Sequence, residues 1–577
     1  MRSPHISLIN ALVATLNKPQ VPSAAGLAGP AFVPPTKFRG SDALKSAAND
    51  FEEYVRGSTA IQSNDTAWAV AVFSTHDDEP LYEKYFTPDY DIETPEVNID
   101  SVFRLASVSK VFSVWTFLNE VGDDHYHEPI TRYVPELIIK TNKSTDVLSD
   151  DIDLVRWEDV TLGQLASQLA GIPRDPAQND LSAQLPSEAA AAFGLPTIDM
   201  SDLPQCGVVG LQRSCTQSIA QLLKQHPIFP TAYSPAYSNV AYALLGLAQE
   251  AITGVPVNEA INKGIFAALN MTSSSYNTPP KSGGVIPGNA SIVGWDWDMG
   301  MMNPSGSLYS STRDMIKAGQ AILGSKTMAP AQTRRWLKSM SQTGVLGSAV
   351  GAPWEIRHLL VKNRLTQLYT KQGDTGGYRS AFVLSPEHQL GAIVFAAGSL
   401  ESNSAAVREE LMNSVGSVFL PAVEEQARVE ARQNFAGTFT DPNTNSSVTI
   451  DVDNESSGLV VKSLFSRGVQ VVGDESPFIP LFNAGQSARL FPSALRTVKK
   501  KLNGKGSFDS RLGFRAVFFN ATGDANAVQD PGLMQWTALG APTYGGNSLD
   551  DWVFEMAEDG KAKAVDVRMM KVKLQRP

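Results

Sequence analysis

Apolar positions first fall into a helical rhythm. Leu44, Ala47, Ala48, Phe51, Tyr54 and Val55 recur every three to four residues, which predicts an amphipathic helix from Ser41 to about Gly57. The rhythm then shortens. Thr66-Ala-Trp-Ala-Val-Ala-Val-Phe73 is β-rich, and Pro80-Leu-Tyr-Glu-Lys-Tyr-Phe86 is placed to pair with it as a hairpin. Val111-Phe-Ser-Val-Trp-Thr-Phe-Leu118 is apolar on most sides, the pattern of a buried helix. Tyr242 to Ile252 predicts an amphipathic helix stopped by Thr253-Gly254, Gly391 to Ala397 a buried strand, and Ala405 to about Glu430 a further helix. From Phe435 the texture changes to short strands with turn signals between them: Phe435–Thr440, Ser447–Val452, Gly458–Lys462, Gly468–Val472, Phe514–Phe519 and Ala564–Arg568. That pattern predicts an antiparallel β-domain, of barrel type. At the other end, Pro19, Pro22, Pro30, Pro34 and Pro35 mark an extended arm. The domains expected are therefore an arm over 1–41, a mixed α/β (α+β) domain over 42–430, and an all-β domain over 431–577.

Composition narrows the function classes. The chain has 577 residues, 42% of them hydrophobic, enough for more than one core. The net charge of −11 disfavours nucleic acid and anionic membrane as partners and leaves a small-molecule substrate as the expectation. Oligomeric state is not legible. No apolar run is long enough to span a bilayer. Cys206 and Cys215 are too few for a zinc site; they fit either a small-loop disulfide or two ordinary thiols. The basic start Met1–His5 and the apolar stretch Ile6–Leu16, diluted by Ser7 and Asn10, make a poor signal peptide. Seven N-x-S/T sequons, the first at Asn64, mildly favour secretion, so secreted and cytoplasmic locations both stay open. Asp123-Asp-His-Tyr-His-Glu128 reads as a solvated polar loop, and neither metal nor cofactor is expected.

The candidate chemistry starts at Ser107-Val-Ser-Lys110. A serine and a lysine three apart share a helix face, and a serine hydroxyl needs an adjacent base to act as a nucleophile. Lysine serves when burial lowers its pKa. Downstream stand Tyr237-Ser238-Asn239 and Gly373-Asp-Thr-Gly-Gly377, the latter opening the strand-like Tyr378–Leu384. No G-x-S-x-G elbow is present.

The order S-x-x-K, Y-S-N, then a Thr-Gly pair before a strand resembles the serine β-lactamase and penicillin-binding-protein superfamily, more closely its class C β-lactamase and related esterase branch. Asn303-Pro-Ser-Gly-Ser-Leu-Tyr-Ser-Ser-Thr-Arg-Asp-Met315 and Val160–Pro173 resemble non-catalytic segments of the same family, the latter with Gln168 where relatives carry histidine. The resemblance implies an antiparallel sheet flanked by helices, with an insertion at about 174–230 because 130 residues separate Ser107 from Tyr237. It also implies roles. Ser107 is the nucleophile, Lys110 its activator and Tyr237 the second proton-transfer group. Asn239 holds the lysine or a substrate amide. The Asp374-Thr375-Gly376-Gly377 stretch borders the substrate, and the Gly377 N–H joins that of Ser107 as the oxyanion hole.

One departure bears on substrate. The family has Lys or His before Thr-Gly, and here Asp374 stands there. A carboxylate facing the cleft repels an anionic substrate, so a neutral ester, thioester or amide is expected. Alternatively, Asp374 pairs with an Arg or Lys and is structural, or Arg379 supplies the missing cation. The activity expected is acyl-enzyme hydrolysis or acyl transfer. A non-catalytic binding protein, and a β-lactamase or D-amino-acid peptidase, are the alternatives.

Overall fold

A computed structural model describes residues 27–577 apart from 90–95, 139–150, 177–179, 201, 205–218, 362–363, 455, 480–485, 503–505 and 520–534. Two compact units divide the chain. One gathers Leu44–Leu359 with Gln367–Leu420; the other gathers the described residues up to Ala43, Leu360–Thr366 and Pro421–Pro577.

In the larger unit, helix α1 (Asp42–Gly57) buries Leu44, Ala47, Phe51 and Val55, while Tyr54 faces solvent. The hairpin β1 (Thr66–Ser74) and β2 (Tyr82–Phe86) follows. All nine residues of β1 are buried, because both faces of its sheet are covered. Phe51 of α1 packs on Tyr82 with ring centroids 5.2 Å apart. β3 (Val102–Ala106) leads through a turn into α2 (Ser109–Glu120), in which every residue from Ser109 to Leu118 is buried. Next come α3 (Leu162–Ala166) and α4 (Val240–Thr253), then β4 (Ser275–Tyr276), β5 (Leu308–Ser311) and α5 (Thr312–Leu323). Strands β6 (Ser341–Gln342), β7 (Ser348–Val350), β8 (Glu355–Val361), β9 (Arg364–Thr375), β10 (Tyr378–Ser385) and β11 (Leu390–Gly398) complete the main sheet. Its order is β2-β1-β11-β10-β9-β8-β7-β6, and a second, small sheet of order β3-β5-β4 is tied to it where the Ser380 hydroxyl of β10 donates to the Leu105 carbonyl of β3 (2.7 Å). Phe73 on β1 fits where side chains are missing: a Cβ at either Gly319 or Gly391 would come within 2.2 Å of its ring. Where described, the expected insertion carries short helices at Leu181–Gln184, Ser187–Ala192 and Ile219–Leu222; Cys206 and Cys215 lie outside the described residues.

The long helix α6 (Ser404–Phe435) contains Pro421, where the division between units falls. The strands β12 (Gly437–Asp441), β13 (Ser446–Asp451), β14 (Leu459–Ser466), β15 (Val469–Val472), β16 (Ser487–Lys500) and β17 (Ser507–Phe519) follow. After β18 (Thr543–Tyr544) and β19 (Asn547–Ser548) come β20 (Asp551–Met556), β21 (Ala562–Val567) and β22 (Val572–Gln575). The order β13-β12-β22-β21-β20-β17-β16-β14-β15 closes on itself through a β13–β14 pairing, so the all-β domain is a barrel. Closure pairs the strand edges that an open sheet would leave exposed. Phe554 centres the interior, 5.0 Å from the rings of both Phe435 and Phe514. Sequence patterning missed β16 because Pro492 interrupts it and a lysine run ends it; the register shifts between Pro492 and Arg496.

Candidate active site

Ser107 sits in the turn between β3 and α2. Ala106 before it has φ +47°, a left-handed conformation that costs about 1–2 kcal/mol for a residue with a Cβ. Ser109 holds the turn there: its Oγ donates to the Ala106 carbonyl (2.6 Å) and accepts from the Leu308 N–H of β5 (2.9 Å). Buried Arg104 ties β3 to the carbonyls of Trp295 (3.2 Å) and Trp297 (2.8 Å). Trp295 and Tyr309 are both core residues.

Lys110, on the first turn of α2, is completely buried, and its ammonium has three acceptors: Ser107 Oγ (3.0 Å), Asn239 Oδ1 (2.7 Å) and the Ser305 carbonyl (2.7 Å). Burial brings it down to about 8, with Tyr237 opposing the fall and Lys371 adding to it. The Tyr237 hydroxyl lies 2.7 Å from Ser107 Oγ. Burial alone pushes this phenol up, but Lys110 and Lys371 outweigh it and hold the group below its ordinary value. Three cations surround the ring: Lys110 Nζ at 5.0 Å, Lys371 Nζ at 5.2 Å and Arg174 Cζ at 4.7 Å from its centroid. Asn239 bridges inward, its Nδ2 donating to Asp175 Oδ1 (2.8 Å).

The segment carrying Tyr237 is laced to the residues after α3. Gln168, at φ +64°, accepts the Ala236 N–H on its carbonyl (2.9 Å) and the Ser238 N–H on its side chain (2.7 Å). Ala232 N–H reaches the Leu169 carbonyl (2.8 Å), Ile228 N–H the Gly171 carbonyl (2.8 Å), and Asn239 N–H the Arg174 carbonyl (2.8 Å). A Cβ on Gly171 would stand 2.2 Å from the Phe229 carbonyl oxygen, which explains a glycine there.

The third motif is where the structure corrects the sequence reading. Side chains of a strand alternate between faces. A Cβ on Gly373 would lie 2.2 Å from the Leu105 carbonyl oxygen and 2.9 Å from the Ser107 nitrogen, so that face of β9 meets Ser107. Lys371 and Thr375 share it, whereas Gln372 and Asp374 point to the opposite face. There Asp374 meets Arg408 of α6 (2.8 Å) and Arg379 of β10 (3.2 Å), and Gln372 donates to Glu409 (2.8 Å). Asp374 is therefore the structural ion-pair partner, and the repulsion argument built on it loses its basis. The cation on the site face is Lys371. It is 1% exposed and is bound to Glu355 of β8 and to the Gln372 carbonyl (2.8 Å). Burial works to lower its pKa, but Glu355 and Tyr237 more than offset that and hold it above the ordinary lysine value.

Gly377 is not free to stabilise an oxyanion: its N–H donates to the Val293 carbonyl (2.9 Å). Gly376, at φ +51°, packs against the same carbonyl oxygen, 2.1 Å from where its Cβ would be. Thr375 is buried and closes the β9–β10 turn opposite Tyr378. Thr375 and Tyr378 flank a two-residue loop and form a hydrogen-bonded pair, so the next pair, Asp374 and Arg379, is not bonded across the ladder. The Asp374 N–H thus points away from β10.

Sequence reading missed Lys371, Glu355, Asp175 and the Ser305 carbonyl. Lys371-Gln-Gly373 was the available signal: a lysine two residues before the glycine that lies against Ser107. Elsewhere, Glu128 holds Arg132 (2.7 Å) and His125 (2.8 Å), and no His, Cys, Asp or Glu group suited to a metal occurs among the described residues.

Known proteins resemble the chain along both units. The profile of the Beta-lactamase family matches residues 59–417, and one described as "Beta-lactamase-like-like, C-terminal domain" matches residues 427–577. A beta-lactamase-like protein of Arthroderma benhamiae is 27% identical over 545 residues, covering 88% of this chain and 87% of that protein. A protein of Phoma sp. whose name describes it as a hydrolase is 26% identical over 419 residues, 70% of this chain and 66% of that protein. Among solved structures, a β-lactamase/D-alanine carboxypeptidase from Yersinia pestis, complexed with citrate, aligns with a TM-score of 0.47 and 18% identity, over 66% of this chain and 100% of that one. The Beta-lactamase profile spans more than half of the chain and takes in Ser107, Lys110, Tyr237 and Lys371, and the chain belongs to the β-lactamase family.

Proposed function

We propose that this protein is a serine hydrolase or acyltransferase that forms an acyl-enzyme on Ser107 from an ester, thioester or amide. Membership of the β-lactamase family and a hydrolase-named relative support the hydrolase class. The observation that carries the finer reading is that Ser107 Oγ lies within hydrogen-bond reach of both Lys110 Nζ (3.0 Å) and Tyr237 OH (2.7 Å).

With all three of its hydrogens engaged, Lys110 acts as a fixed cation. Tyr237, lowered by that cation and by Lys371, takes the Ser107 proton as Oγ attacks the acyl carbon. The negative charge on the tetrahedral oxygen falls between the N–H groups of Ser107 and Asp374. Tyr237 returns the proton to the leaving heteroatom, and the acyl group stays on Ser107 until water or another nucleophile removes it. Lys371 is spent on Glu355 inside the protein, which keeps a neutral acyl substrate as the favoured class, now on different grounds.

Intact-mass measurement after a fluorophosphonate probe tests the reading. One adduct on the Ser107 peptide is expected, absent in Ser107→Ala. Labelling that persists in Ser107→Ala moves the nucleophile elsewhere, and a folded but unlabelled native protein favours a non-catalytic binding role.

A further inference from the structure

The outer end of the β16–β17 hairpin has no catalytic use and an unusual surface. β16 pairs with β14 only from Ala488 to Leu490, and β17 pairs with β20 only from Arg511 to Arg515. Beyond those points Val498–Lys500 and Ser507–Asp509 pair with each other alone, as a two-stranded ribbon. Every residue from Ala494 to Lys500 is exposed.

The sequence there is Leu495-Arg-Thr-Val-Lys-Lys-Lys-Leu502: four cations and no carboxylate, in a chain of net charge −11. Arg496 has Asp509 at 3.6 Å, but Lys499, Lys500 and Lys501 form no ion pair with a described residue. Interleaved with them, Leu495 is 64% exposed, Val498 51% and Leu502 95%. Net charge alone disfavours an anionic partner; the ribbon is a local exception to it.

We propose that this ribbon docks the protein on an anionic lipid bilayer. The lysines meet the headgroup phosphates and carboxylates, and Leu495, Val498 and Leu502 enter the boundary with the acyl chains. Both halves of the surface are used by that partner. A nucleic acid backbone would engage the cations yet leave three aliphatic side chains in water, as would the acidic surface of a second copy. The proposal is independent of the chemistry at Ser107.

Cosedimentation of the full chain with vesicles tests it. Phosphatidylcholine vesicles containing about 30% phosphatidylserine are compared with pure phosphatidylcholine, at low salt and at about 0.5 M. Binding to the anionic vesicles alone is expected, weakened by salt. The combined Lys499→Glu, Lys500→Glu and Lys501→Glu variant should bind about 100-fold more weakly, and the triple Lys→Arg variant should bind like the native chain. Leu502→Ser, at unchanged charge, should cost about 5- to 10-fold. Each variant's melting temperature, matching that of the native chain, shows that it folds. Native protein left in the supernatant with both vesicle types overturns the proposal. So does an unaffected Leu502→Ser, binding to duplex DNA that matches vesicle binding in strength, or a self-association that the charge reversal abolishes.

Discussion

In the C-terminal barrel, residues follow the local rule of their strands. β13 alternates buried and half-buried positions, and the interior is built of Phe439, Val448, Ile450, Leu490 and Phe554, with no charge among them. The surroundings of Ser107 break such rules. Two lysines are buried to 1% or less, and an alanine is held at positive φ. A buried cation is costly unless paired and hydrogen-bonded, and the barrel's own buried charges, Asp550 and Arg489, sit in ion pairs with Arg515 and Asp453. What sets the site apart is that two buried lysine ammoniums stand beside one tyrosine ring and one serine hydroxyl, and their cost is offset by Glu355, Asn239 and the Ser305 carbonyl.

The largest expected effect lies on the charged side of this contrast. Lys110→Ala and Tyr237→Phe should each lower kcat/KM for an ester by about 10³- to 10⁴-fold, with the double variant little worse, because the two act on one proton. Mild, additive losses would break the comparison by making these groups structural. On the apolar side, Phe554→Ala should cost the barrel about 3–5 kcal/mol in denaturant unfolding while leaving Ser107 labelling intact below the transition. A loss of labelling in native conditions would show that the two regions are not separable.

A pH profile sharpens the roles within the site. With Tyr237 as base and Lys110 as cation, protonating the phenolate on the acid side removes activity. On the alkaline side, Lys110 loses its proton above about 8, and activity should fall there by about tenfold per pH unit. If neutral Lys110 were the base instead, activity would rise through the same pH and level off.

The smallest effect is expected at Asp374. Its carboxylate is 52% exposed, so Asp374→Asn should cost no more than about 1 kcal/mol, read as a small shift in melting temperature. Preference between neutral and anionic esters should stay within about twofold of the native protein. A large shift toward anionic substrates would return Asp374 to the cleft.

Legibility followed sequence distance. Ser107 and Lys110 sit one helical turn apart, and Tyr237 and Asn239 flank a single serine, so short patterns carry them. Strands β1 and β11 were readable because their apolar runs are long, and β2 because it follows β1 at hairpin distance. Lys371 was passed over for Asp374 because which face of β9 meets Ser107 depends on Gly373 lying against Leu105, more than 260 residues away in sequence. The Ser305 carbonyl leaves no side-chain signature at all. Glu355 becomes meaningful only once β8 is known to lie beside β9.

The lacing of the Tyr237 segment has an evolutionary consequence. From Ile228 to Ala236 the anchoring bonds run to main-chain carbonyls of residues 168–171, and all but the one from the Thr231 hydroxyl to Ala170 (3.2 Å) start from backbone N–H groups, so they depend little on which side chains the segment carries. Tyr233 is 75% exposed and Ile228 53%, and neither side chain takes part in the anchoring. Lineages are free to rewrite these positions while the phenol stays registered on Ser107. Main-chain geometry thereby registers the phenol, and the exposed side chains of the segment stay free of that task.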